Sequence, residues 1–205
     1  MSPAFELIAG DPSLDFANTL SGDRFHAPRE NLNEYGDLLA FARQAGLVDA
    51  SCARGLAERA AREPGEAARV LARAIELREA IFRIFWALGS RKKPAPADLG
   101  LLNGELATAL AHREIVARGG SYSFGWTECD DLDQPVWAIA VAAADLLADE
   151  DRGPIRMCGL AEDEECTWIF LDETKNKSRR WCSMRDCGNR AKAAISRRSR
   201  RARAR

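Results

Sequence analysis

Four cysteines in the last quarter of the chain constrain its folding more than any other feature. Cys158 and Cys166 are separated by seven residues, Cys182 and Cys187 by four, and fifteen residues lie between the pairs. Two knuckles joined by a short strand-rich connector can bring four thiolates onto one tetrahedral Zn²⁺. The connector suits this: Thr167-Trp168-Ile169-Phe170-Leu171 is a β-run, and Asp172 to Lys177 holds turn formers. A segment so poor in apolar side chains does not hold a core alone, so a structural metal would supply its folding energy. Reduced, buried thiols are the plainer alternative, and Cys52 and Cys129 are read that way.

Charge divides the chain at the same place. Residues 175–205 contain thirteen Lys and Arg against one acidic residue, Asp186, whereas residues 1–174 contain seventeen basic and thirty acidic residues. A basic appendage on an acidic body calls for a polyanionic partner, and thirteen cations in this stretch exceed what solubility needs. The appendage lacks the apolar face and aromatic anchors of an interfacial helix, which argues against a membrane-surface role. No signal peptide is evident at the N-terminus, and the apolar block Pro135 to Ala148 is interrupted by Asp145 and too short to span a bilayer. These features point to a cytoplasmic protein, where paired thiols favour metal over disulfides.

With 205 residues, 46% of them apolar, the chain can hold one domain plus a small module, or one larger domain. After a loop-like start, apolar spacing predicts helices over Glu30 to Ala45, Ser51 (a possible N-cap) to Arg62, Val70 to Leu88 and Asp98 to His112. The period then changes. Residues 114–118 and 121–126 read as a β-hairpin around Gly119-Gly120, followed by a buried helix from Pro135 to Ala148. The acidic stretch ending in Gly153-Pro154 marks a boundary. The expected fold is α+β: a mainly helical domain over 1–152 with a small antiparallel hairpin, and a zinc module over 153–205 built from a β-hairpin and a basic helix.

Past Cys187 and Gly188, helix formers run from Asn189 to about Ser199, with Ala191, Ala194 and Ile195 as a thin packing face. Arg190, Lys192, Arg197 and Arg198 are left pointing outward, and Arg179 and Arg180 sit before the second knuckle. Such cations bind phosphates without sequence choice. Base reading needs bidentate groups, for which Asn189 and Arg190 are the candidates, although Asn189 serves equally well as a helix cap. Phosphates attract arginine in RNA and DNA alike.

In the body, Asp15, Asn18 and Arg24 form a polar cluster, with His26 and Arg29 nearby, that could line a pocket for a small-molecule effector. Equally, the first two could cap turns and Arg24 could pair with a carboxylate. Phe16, Phe25, Phe82, Phe85, Trp86, Tyr122, Phe124 and Trp126 suit a cavity or, more simply, a core. The two histidines, His26 and His112, are far apart, and no nucleophile triad or phosphate loop is present, so an enzyme is not expected.

The stretch Arg179-Arg180-Trp181-Cys182-Ser183-Met184, continued by Cys187-Gly188-Asn189-Arg190 and Lys192, closely resembles the CGNR zinc finger family. Trp168 to Asp172 and Lys175 to Ser178 look like that family's connecting hairpin. At the other end, Leu14 to Leu20, followed by Glu30, Leu32, Tyr35 and Asp37-Leu38-Leu39, resembles the ABATE domain, which precedes this finger in bacterial stress-induced transcription regulators. The resemblance implies metal ligands at Cys158, Cys166, Cys182 and Cys187, a structural Zn²⁺, and DNA as the partner ahead of RNA. It also implies an N-terminal domain that senses an effector or forms a homodimer. The loop from Gly159 to Glu165, with four acidic residues, is longer than the family pattern leads one to expect. Replacing Cys182 or Cys187 with Ser is expected to unfold residues 155–190 and leave the helical body folded.

Overall fold

Two apolar helices organise the chain. The computed structural model describes residues 5–127, 130–162 and 165–203, with side chains except at Arg118 and 197–203; Cys129 lies outside the described residues. Helix α4 (Pro64–Gly89) buries Val70, Ala74, Leu77, Ile81, Ile84 and Phe85 along one stripe, at the three- and four-residue spacing its sequence shows. Pro64 occupies its first turn, where the missing N–H costs nothing, so the helix begins six residues earlier than its apolar pattern does. Helix α6 (Gln134–Ala148) is buried almost all round, from Val136 through Val141 to Leu146. Around these pack α2 (Tyr35–Gln44), α3 (Ala50–Arg62) and α5 (Pro96–Ala111). Asp49, not Ser51, caps α3, accepting from the Ser51 and Cys52 amides.

The start of the chain is not a loop. Asp11 caps a six-residue helix, α1 (Pro12–Ala17), and its carboxylate accepts from the Ser13 amide. Strands β1 (Leu20–Asp23) and β2 (Ala27–Glu30) then form an antiparallel hairpin. Gly22 sits at φ +80 with Ala27 O where a Cβ would fall, so a larger residue cannot take this corner. An Asp-Pro cap at residues 11–12 was the available signal, but α1 is too short to show a period.

The expected hairpin over 114–126 is present as β3 (Arg113–Arg118) and β4 (Ser121–Trp126), turning at Gly119 and Gly120. Its outer face is not core: Ile115 is 60%, Tyr122 78% and Phe124 66% exposed. Phe16, Phe82 and Phe85 are buried as expected, whereas Phe25 is exposed.

In the C-terminal segment β5 (Ile155–Met157) pairs antiparallel with β6 (Ile169–Leu171). The expected pairing of Trp168–Asp172 with Lys175–Ser178 does not form. The buried Asp172 carboxylate accepts from the Thr174 amide and hydroxyl and from the Arg179 amide, which folds residues 172–179 into a tight loop. A single π-helical turn (Met184–Gly188) leads into α7 (Asn189–Arg203). Among the described residues the fold is thus seven α-helices with three two-stranded antiparallel sheets, an α+β arrangement.

One hydrophobic core runs through both parts. Leu14, Phe16, Leu77 and Phe85 from the body and Ile155, Ile169, Phe170 and all four clustered cysteines from the C-terminal segment belong to a single contiguous cluster. Backbone bonds stitch the two together: the Leu171 amide donates to Ala9 O at 2.7 Å and the Thr167 amide to Gly22 O at 3.3 Å.

Candidate metal centre and its flanking cleft

The four cysteines arrive from separate elements. Cys158 follows β5, Cys166 precedes β6, and Cys182 and Cys187 bracket a turn whose Ser183 hydroxyl accepts the Asp186 amide. The long first loop does not keep Cys158 away. The Cys158 amide donates to Trp168 O and the Ala161 amide returns to Cys158 O, so the acidic knuckle is anchored at its base. All four side chains are buried, and their sulfurs lie within 4.8 Å of one another.

The spacing discriminates between chemistries. Cys166 Sγ is 3.7 Å from Cys182 Sγ, and Cys182 Sγ is 3.5 Å from Cys187 Sγ. A disulfide needs about 2.05 Å. Four thiolates at about 2.3 Å from one tetrahedral ion stand about 3.8 Å apart, and the observed separations are close to that. The residues therefore fit a divalent metal. Crowded together, the sulfurs compete for protons: hydrogen bonds from Cys166, Cys182 and Cys187 push the Cys158 thiol down, while the bond with Cys158 pushes Cys166 and Cys182 up. A bound cation removes that competition by favouring the thiolate at every position.

Arg190 supports the cluster from outside. Its Nη2 donates to Cys187 Sγ at 3.1 Å, and its guanidinium lies 3.5 Å from both Glu165 and Asp186, tying the two knuckles together. Arg179 is likewise turned inward. It donates to Trp181 O and Cys182 O and reaches Ile8 O of the body at 2.8 Å, with its guanidinium over the Phe170 ring. These contacts leave Arg179 holding the finger to the body instead of facing a phosphate.

Asn189 does not cap α7. It already has helical dihedrals, its side chain donates to Arg185 O, and Ser183 does the capping a turn earlier. Arg180, Asn189, Arg190 and Lys192 are exposed, as is Arg185, a cation the sequence reading passed over although it stands between the two ligands. The side chains of Arg197 and Arg198 lie outside the described ones; their backbone belongs to α7. Of the thin packing face, Ala191 and Ala194 are half-buried but Ile195 is exposed.

The body's polar cluster divides. Arg24 Nη1 pairs with Glu79 at 2.5 Å, its Nη2 donates to Ala17 O, and its guanidinium covers Phe82, so it is spent on the body itself. Asn18 is committed to the finger: Nδ2 donates to Ile169 O at 2.9 Å and Oδ1 accepts the Ile169 amide at 3.1 Å. Asp15 Oδ1 accepts the Ile8 and Ala9 amides, and burial pushes its carboxyl up to about 6. Asp15 and Asn18 also line a cleft of about 500 Å³ between the two parts of the molecule. The body contributes Phe5, Glu6 and Arg29 to its walls; the finger contributes Glu165, Trp168, Asp186, Arg190 and three of the cysteines.

Comparison with known families gives two matches. The ABATE model, described as "putative stress-induced transcription regulator", matches residues 10–150, and the CGNR zinc finger model matches residues 155–205. No curated protein matches the chain. Among the described residues no helix is long and apolar enough to cross a membrane.

Proposed function

Because the chain belongs to the ABATE family and carries a CGNR zinc finger, we propose that it is a non-enzymatic cytoplasmic transcription regulator that grips duplex DNA through its metal-held C-terminal segment. The observation that carries this reading is four converged sulfurs placed immediately before an arginine-rich helix. In this reading Cys158, Cys166, Cys182 and Cys187 hold Zn²⁺, which supplies folding energy and fixes the start of α7. Arg180, Arg185, Lys192 and the arginines further along α7 contact phosphates and displace condensed counterions. Arg190 neutralises the thiolate cluster and Arg179 locks the finger to the body.

Metal analysis of the purified protein and a duplex-DNA binding series across salt test the proposal together. One zinc per chain and an affinity that falls steeply with salt are expected. A metal-free protein or salt-insensitive binding overturns it. RNA is the second reading, since the exposed cations serve either polymer; single-stranded RNA competing better than duplex DNA would establish it.

A further inference from the structure

We infer that the cleft between body and finger is a binding site for a small organic cation, an amine with an apolar group. The inference rests on the metal-loaded finger of the preceding reading, because the metal site forms part of the wall.

The cleft's charge selects the ligand class. Glu6, Asp15, Glu165 and Asp186 face it against two cations, Arg29 and Arg190. Arg190 is paired with Glu165 and Asp186 and donates to Cys187, so the charged lining carries an excess of two negative charges. Four thiolates around a divalent ion add a net charge of about −2 at the same wall, and such a field repels phosphates and carboxylates. Asp15 is the focus. It is 8% exposed, both of its amide bonds go to Oδ1, and it has no ion-pair partner among the described residues. The nearby Arg179 guanidinium offsets its charge only in part, because its hydrogen bonds go to Ile8 O, Trp181 O and Cys182 O. A buried carboxylate short of counter-charge is stabilised by a cation entering the cleft. Phe5 and Trp168, both half-buried, line the same space and suit the ligand's apolar part, with a cation near an aromatic face further stabilised. A cleft of about 500 Å³ accommodates a small molecule.

The test uses the zinc-loaded full chain and three probes of nearly equal shape: 2-phenylethylamine, 2-phenylethanol and phenylacetate, titrated calorimetrically. The amine is expected to bind at least tenfold more tightly than either counterpart. Asp15→Asn, which keeps an acceptor for the Ile8 and Ala9 amides, is expected to weaken the amine at least tenfold. Ala27→Trp, at an exposed strand position lining the cleft, is expected to abolish binding without touching Asp15. No amine binding at millimolar concentration, equal or tighter phenylacetate binding, or undiminished amine affinity in the folded variants overturns the inference. DNA binding and zinc content measured on the same sample separate the two readings: a chain that holds zinc and binds DNA but not the amine removes only the cleft assignment.

Discussion

Asn18 closes both backbone hydrogen bonds of Ile169, 151 residues away, with a single side-chain amide. It takes the place of a neighbouring strand for β6 and so fixes the finger's hairpin against α1. Asn18→Ala leaves a buried N–H and a buried carbonyl unpaired, each worth about 1–3 kcal/mol. Denaturant unfolding is expected to show a loss of about 2–4 kcal/mol. A change below about 0.5 kcal/mol would mean the contact is dispensable.

Metal removal should be felt beyond the finger. Apparent binding free energies of structural zinc, roughly 10 kcal/mol or more, rival the whole stability of a typical domain. Because the cysteines share one core with Leu14, Phe16 and Phe85, Cys182→Ser or chelation is expected to loosen α1 together with residues 155–190. This revises the sequence-based expectation of a body left untouched. Hydrogen exchange decides: protection should fall in both segments, and an unchanged α1 would restore the picture of an independent module.

The arginines should separate into two kinds. Arg180→Ala, Arg185→Ala and Lys192→Ala are each expected to reduce the slope of log K against log salt by up to about 0.9 on duplex DNA, the value of one phosphate contact, with stability unchanged. Arg179→Ala removes the bonds to Ile8 O, Trp181 O and Cys182 O. It is expected to lower the unfolding midpoint first. Equal slopes for all four variants would contradict the division.

Asp15 gives the stability curve a sign. Burial raises its carboxyl from the usual 3.8 to about 6 in the folded chain. The protonated form is therefore the one folding favours; its contribution is complete below about pH 4 and is lost as pH rises through 6. The difference corresponds to about 3 kcal/mol. Asp15→Asn is expected to remove this pH dependence and to unfold at higher denaturant than the parent above pH 7. A parent-like decline between pH 4 and 6 in the variant would assign the effect to another group.

A buried ion pair supplies a further check. Arg78 is 2% exposed and meets Glu30 through two bonds of 2.6 and 2.8 Å, with Glu79 alongside. Glu30→Ala leaves the buried guanidinium with Glu79 alone, which Arg24 also engages, and is expected to cost up to about 3–5 kcal/mol, the penalty for a fully uncompensated charge. Arg78→Met, which removes the charge itself, should cost less. Calorimetric unfolding of the two variants ranks them.

Much of the molecule was legible from local pattern. The cysteine spacing, the charge division, the helical stripe of α4, the glycine turn at 119–120 and the apolar α6 each declare themselves within a few dozen residues, because period, turn chemistry and ligand spacing are short-range properties. The short helix α1 and the β1–β2 hairpin escaped, since six and four residues cannot establish a period. What only the tertiary structure decided is where long-range partners fall. A guanidinium reads alike whether it faces solvent or a carbonyl, so Arg179 turning to Ile8 and Arg185 facing out could not be told apart beforehand. Asn18 and Asp15 form one polar cluster in sequence, yet one ties down a strand and the other faces a cleft. That difference arises because the finger folds back onto the body and buries one continuous core with it, a placement set by the packing of segments some 150 residues apart.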